Sequence, residues 1–223
     1  MAGQPAHGPA RSPARHPALI AVLDYGIGNL RSAAKALERV GADARLTADP
    51  GLIADAAGVV LPGVGNFGRC MEALEEAGLD ELAVAAAFSG RPFLGICVGM
   101  QMLYHGSEET PEVPGLGVLP GMVRLLPDTV KRPQMQWNTL EVRRDSLLLA
   151  GLSPGSWVYF VHSYAAAPDE HTVATCDYGG PAAAAVENGN LWATQFHPEK
   201  SGRTGLRILA NFVRHAVQAA EAA

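Results

Sequence analysis

Cys97 lies in Gly95-Ile96-Cys97-Val98-Gly99, where an apolar run gives way to a helical pattern. A nucleophile on a sharp strand-to-helix turn needs strained backbone, and flanking glycines leave room for so tight a bend. The start of a helix also favours the thiolate, the reactive form of cysteine. The amide of Val98 would then face the oxygen of a tetrahedral intermediate. Cys70 and Cys176 have no such setting and read as inert core thiols.

A cysteine nucleophile needs a base. Among seven histidines, His197 stands out in Gln195-Phe196-His197-Pro198-Glu199-Lys200-Ser201, at the end of an apolar strand pattern. In extended backbone residues two apart share a side, so His197 and Glu199 are expected to project together. Pro198 holds His197 extended and fixes its own φ. Glu199 can then accept a hydrogen bond from one imidazole nitrogen while the other faces Cys97, which completes nucleophile, base and orienter. A third piece is the loop Pro62-Gly63-Val64-Gly65 after another strand, with backbone amides available to an oxyanion.

These groups need a scaffold that brings strand ends together. Ala18–Asp24 reads as a strand buried on both faces, followed by a helix that Asn29 caps and Gly41 ends. Gly58–Leu61 and Pro92–Ile96 are further short buried strands. Helical patterns follow at Arg69–Ala77, Leu79–Ser89 and Val98–Tyr104. Strand, glycine loop and helix thus repeat three times by residue 105, which predicts a parallel α/β sheet. The second half reads as strands at Val118–Leu125, Asn138–Val142, Trp157–Ala165, Thr172–Asp177, Ala182–Glu187 and Leu191–Phe196. Asn188-Gly189 signals a hairpin between the last two. Arg203–Ala220 closes the chain as an amphipathic helix. The expected fold is α/β, a mostly parallel central sheet flanked by helices, with an added antiparallel β region in the second half.

Composition narrows the setting. The chain has 223 residues, 48% hydrophobic and 17% charged, enough for one self-sufficient core. A net charge of −5 argues against a nucleic-acid binder, and no apolar run approaches a membrane span. Three cysteines without a C-x-x-C pair fit a reducing, cytoplasmic compartment and offer no zinc site. Residues 1–17, rich in Pro, Ala and Gly, are expected to be a disordered extension, and residues 18–220 a single domain.

The stretches around Cys97 and His197 resemble the class I glutamine amidotransferases. Within them, Asp24–Leu30, Leu61–Gly68, Tyr159–Tyr164 and Gln195–Gly202 are similar to the glutaminase subunits of imidazole glycerol phosphate synthases. The resemblance runs from about Ile20 to Phe212. It implies a glutaminase with the triad Cys97, His197 and Glu199, and no cofactor or metal. Its ammonia passes to a TIM-barrel cyclase in a heterodimer that makes imidazole glycerol phosphate and aminoimidazole carboxamide ribotide for histidine. The resemblance also implies oxyanion roles for the amides of Val64 or Gly65 and Val98. Gln101, Ser163 and Tyr164 match positions that bind glutamine. Trp137, Asn138, Tyr159 and Lys200 match the face turned to the cyclase. Two positions of the 133–138 segment depart from the family, Gln134 standing where it usually has histidine and Gln136 where it has glycine; Asn66 and Val98 replace commoner small or leucine side chains. Other readings of the same residues are a glutaminase for a different synthase, a stand-alone cysteine hydrolase, and a regulatory module without catalysis.

Overall fold

The apolar run after Pro17 forms β1 (Leu19–Leu23) in the computed structural model, which describes residues 17–222. The extension predicted over residues 1–17 therefore lies outside the described residues, Pro17 excepted. α1 (Leu30–Arg39) buries Leu30, Ala33, Ala34, Ala36 and Leu37 at helical spacing. Asn29 occupies its N-cap position but makes no capping bond with its side chain. β2 (Asp43–Thr47) pairs with β1 in parallel and has no counterpart in the sequence reading. It is an edge strand, and Asp43 and Arg45, bonded to each other on its exposed side, break the apolar signal.

α2 (Pro50–Asp55) starts at Asp49, whose carboxylate accepts from the Gly51 amide at 2.8 Å. β3 (Gly58–Gly63) is buried throughout. α3 (Phe67–Glu76) is capped by Asn66, which accepts from the Arg69 amide at 3.0 Å, and α4 (Asp80–Phe88) follows. β4 (Phe93–Cys97), also wholly buried, runs into α5 (Val98–Gln101). The helix expected to reach Tyr104 stops after this single turn, so the field at Cys97 comes from a few free amides rather than a long helix.

Beyond α5 the chain is largely β. β5 (Gly106–Ser107) and β6 (Met122–Leu125) precede β7 (Gln134–Thr139) and β8 (Glu141–Val142). β9 (Trp157–His162), β10 (Tyr164–Ala166), β11 (Thr172–Asp177), β12 (Pro181–Asn188) and β13 (Leu191–Thr194) follow, and α6 (Gly202–Ala222) ends the chain. Two predicted strands are split. The expected Asn138–Val142 breaks at Leu140, whose amide turns to the Ser156 carbonyl. The expected Trp157–Ala165 breaks at Ser163, so that β9 and β10 join different sheets. The hairpin at Asn188-Gly189 is present, with Asn188 opposite Leu191.

The main sheet has the order β2-β1-β3-β4-β13-β12-β11-β8. Its first five strands are mutually parallel and the last three antiparallel. β10-β6-β5 form a small second sheet, and β7 and β9 a two-stranded ribbon. This is the expected mostly parallel sheet with an antiparallel addition. Its order matters for chemistry: β3, β4 and β13 are neighbours, so the loops after Gly63, Cys97 and Thr194 emerge side by side at their carboxyl ends, where open α/β sheets bind ligands. Among the described residues no helix is long and apolar enough to cross a membrane.

Candidate active site

Cys97 has φ +56° and ψ −112° and is the one non-glycine residue with positive φ among those described. Such a conformation costs about 1–3 kcal/mol and persists only where the surroundings impose it. Here β4 pairing on both sides and the packed turn of α5 impose it, so Cys97, 3% exposed as a residue, stands at the carboxyl end of the sheet. The elbow read from the two glycines is therefore formed.

His197 and Glu199 come together by a different route from the one expected. His197 is extended, but Pro198–Lys200 form a single 3₁₀ turn rather than more strand. Proline at its first position suits the turn, since the missing N–H has no partner there in any case. The turn brings Glu199 Oε1 to 2.7 Å from His197 Nδ1, both side chains only 2% exposed. A carboxylate only accepts, so Nδ1 carries a proton, and Nε2 is left as the nitrogen that meets the Cys97 sulfur. Burial by itself lowers the pKa of His197. The nearby Cys97 sulfur and Glu199 carboxylate outweigh it and push the imidazole up to about 9. The arrangement favours a protonated imidazole beside the sulfur. Ser201 straps this turn to the ribbon: its Oγ donates to the His197 carbonyl at 2.6 Å and accepts from the Tyr159 amide at 3.0 Å.

A cavity of about 490 Å³ opens over Cys97 and His197. Val64, Gly65 and Val98, the expected oxyanion residues, line it together with Gln101, Ser163 and Tyr164. Gln101 differs from a simple ligand-binding amide. Its Nε2 donates to the Tyr164 carbonyl at 2.9 Å and to Gln195 Oε1 at 3.0 Å, which uses both N–H groups and leaves Oε1 for a ligand. Sequence reasoning missed Glu109, which lines the cavity while its Oε2 accepts from the Phe67 amide at 2.8 Å, at the start of α3. It missed Asn29, Gln195 and His162 as well. Asn29 lines the cavity instead of capping α1. His162 donates from Nδ1 to the Tyr164 carbonyl at 2.9 Å, and burial pushes its pKa down to about 4, so it is neutral. The motif Gln195–Ser201 contained a signal for Gln195; Glu109 carried none.

The residues matched to a partner face divide. Trp137 and Tyr159 face each other across the β7–β9 ribbon with rings 6.1 Å apart. Met135, Trp137 and Trp157 share that face and are 61%, 46% and 57% exposed. Lys200, in the turn strapped to Tyr159, lines the cavity. Asn138 points the other way: its Nδ2 donates to the Asp177 carbonyl and its Oδ1 accepts from the Thr139 amide. Of the two departures, Gln134 is fully buried, and only Gln136 is exposed to meet a partner.

The glutamine amidotransferase class-I family matches residues 21–216. The chain is 51% identical over 199 residues to the imidazole glycerol phosphate synthase subunit HisH of Deinococcus radiodurans, covering 87% of this chain and 93% of that one. Its identity to the HisH subunit of Halobacterium salinarum is 52% over 206 residues, covering 88% and 93%. Among solved structures, a glutamine amidotransferase superposes with a TM-score of 0.70 at 23% identity, covering 89% of this chain and 98% of that one. PurLQS from Thermotoga maritima gives the same score and identity over 90% and 99%, a likeness of fold.

Proposed function

Because the chain belongs to the class-I glutamine amidotransferases, and within them to the HisH subunits of imidazole glycerol phosphate synthase, we propose that Cys97, His197 and Glu199 are its glutaminase triad. The observation that carries this is Cys97 on a strained elbow, sharing one cavity with a histidine whose far nitrogen is held by a buried carboxylate. Cys97 Sγ attacks the side-chain amide carbon of glutamine. The oxygen gains charge facing the amide of Val98 and those of the Val64–Gly65 loop. The His197 imidazolium gives its Nε2 proton to the leaving nitrogen, ammonia departs, and a thioester remains. Neutral His197 then takes a proton from water, the hydroxide attacks the thioester, and glutamate leaves. Glu199 keeps the proton on Nδ1 throughout. Glu109 and the free oxygen of Gln101 supply acceptors for the substrate ammonium.

The protonated base sets the alkaline limit. His197 must carry its proton to release ammonia, so turnover falls as pH rises through about 9. The Glu199 charge helps to hold that value up. Glu199→Gln is expected to move the alkaline limb down by about one pH unit and to lower kcat about 10–100-fold. A pH–kcat/KM profile of both proteins checks this, and a limb at the same pH in Glu199→Gln would remove Glu199 from the triad.

As a subunit of a synthase in histidine biosynthesis, the chain has a partner, and we assign that partner as a TIM-barrel cyclase that consumes the ammonia. Ammonia in water near neutral pH is mostly ammonium and not nucleophilic, so release into a covered path has a chemical reason. The exposed apolar strip Met135–Trp137–Trp157 beside Lys200 is what such a partner would cover. Trp137→Ala is expected to weaken binding to the cyclase about 10–100-fold, read by titration calorimetry, with the uncomplexed fold unchanged. Undiminished binding would move the interface off the ribbon.

A further inference from the structure

Gln195 is 1% exposed and sits between the end of β13 and His197. Its Nε2 lies 3.8 Å from Cys97 Sγ, and no other acceptor meets that donor among the described residues. Its orientation is fixed from outside. The Tyr164 carbonyl can only accept, so the group that Gln101 presents to it at 2.9 Å must be its NH₂. That same NH₂ meets Gln195 at 3.0 Å, so Gln195 must turn its oxygen to Gln101 and its NH₂ to the sulfur. His162 donates to the same carbonyl and holds it in place. A chain of four groups, three of them buried and the Tyr164 carbonyl partly so, begins at the break between β9 and β10 and ends in an N–H at the nucleophile.

We propose that Gln195 is a positioning residue for Cys97, its amide N–H aimed by Gln101 at the attacking sulfur; this rests on Cys97 being the nucleophile. A hydrogen bond to an anion is roughly twice as strong as one to a neutral acceptor, so the N–H favours thiolate over thiol. It also restrains the side-chain torsion that directs the sulfur lone pair. Gln195 does not line the cavity, so it acts through Cys97 and not on glutamine. The titratable groups that share charge with Cys97 are His197, Tyr25 and Cys70.

The test is alkylation of the full chain by iodoacetamide, with the label at Cys97 quantified by mass spectrometry. Burial pushes Cys70 and Cys176 up to about 11 and about 12, which keeps both slow near neutrality, and the mass spectrum resolves the Cys97 peptide from theirs. Gln195→Met keeps length and bulk and removes the donor. It is expected to slow Cys97 labelling about tenfold near pH 7 and to approach the parent rate as pH rises to about 10.5, where hydroxide takes the thiol proton without help from the amide. In the cyclase complex it should lower kcat about tenfold and leave KM for glutamine unchanged. An unchanged rate near pH 7 overturns the proposal, and so does equal slowing at both pH values, which reports lost access. If Gln195→Met does not fold, Gln101→Met releases the same amide without altering the β13 turn; it should slow labelling near pH 7 several-fold, and no slowing overturns the proposal. A Cys97→Ala chain that still released glutamate would instead defeat the triad reading, whatever the labelling showed.

Discussion

Cys97→Ala is expected to release no more glutamate from glutamine than buffer does, a loss of at least ~10⁴-fold in kcat/KM, with the chain still folded. The size of the effect follows from the chemistry. Without the sulfur there is no thioester, and His197 alone would have to drive water onto an amide in one step. What remains is binding and the oxyanion amides, which do not create a nucleophile. The fold survives because the sulfur contributes little to it. Its contacts are long, 3.9 Å to the Val161 carbonyl and 3.8 Å to Gln195 Nε2, and alanine occupies the same left-handed backbone at the same cost. Glutamate release measured in the presence of cyclase and its substrate checks this, with a thermal melt beside it. Activity within tenfold of the parent would remove Cys97 from the chemistry. Loss of activity together with loss of the melt would say only that the elbow is structural. Binding to the cyclase should persist in this variant, which separates a catalytic subunit from one that acts by docking alone.

How much of this was legible follows from where each signal is stored. The parallel strands were readable because β3 and β4 are buried on both faces and appear as unbroken apolar runs between glycines. β2 was not, because an edge strand owes its pairing to β1 and not to its own residues. The elbow was readable because its strain needs glycine neighbours that the sequence displays. The pairing of His197 with Glu199 is legible without its geometry, since both a strand and a 3₁₀ turn can bring residues two apart together and proline permits either. Glu109 was invisible because its place depends on the loop after β5 folding back on the start of α3, a contact 42 residues apart with no local pattern. Gln134 shows the limit from the other side. A departure seen in a motif says nothing about which way the side chain points, and this one points inward, toward the Cys176 thiol.

The other large effect is expected at Gly99. A Cβ built there lands on the Leu61 carbonyl oxygen, with the Leu61 carbon at 2.9 Å and the Pro62 carbon at 3.2 Å. The approach is mutual, since a Cβ at Gly63 would lie 2.7 Å from the Gly99 nitrogen. Both neighbours are backbone of β3, held by register to β1 on one side and β4 on the other, so no side-chain rotation relieves the clash. Gly99 lies within α5, and helix propensity taken alone predicts that alanine stabilises by about 1 kcal/mol. Packing predicts the opposite sign, a loss of about 3 kcal/mol or more and a fall in melting temperature of roughly 10 °C. Whatever folds should also be slow. To make room, α5 must lift from β3, and that moves the Val98 amide and the Val64–Gly65 loop apart by about 1 Å, enough to cost on the order of 10²-fold in kcat. Thermal melts and glutaminase assays of Gly99→Ala decide between the two. A variant that melted at or above the parent would mean that the elbow tolerates a wider gap between α5 and β3 than the contacts allow. A variant that melted low yet turned over at full kcat in its folded fraction would detach the Val64–Gly65 loop from oxyanion stabilisation and leave that role to Val98 alone.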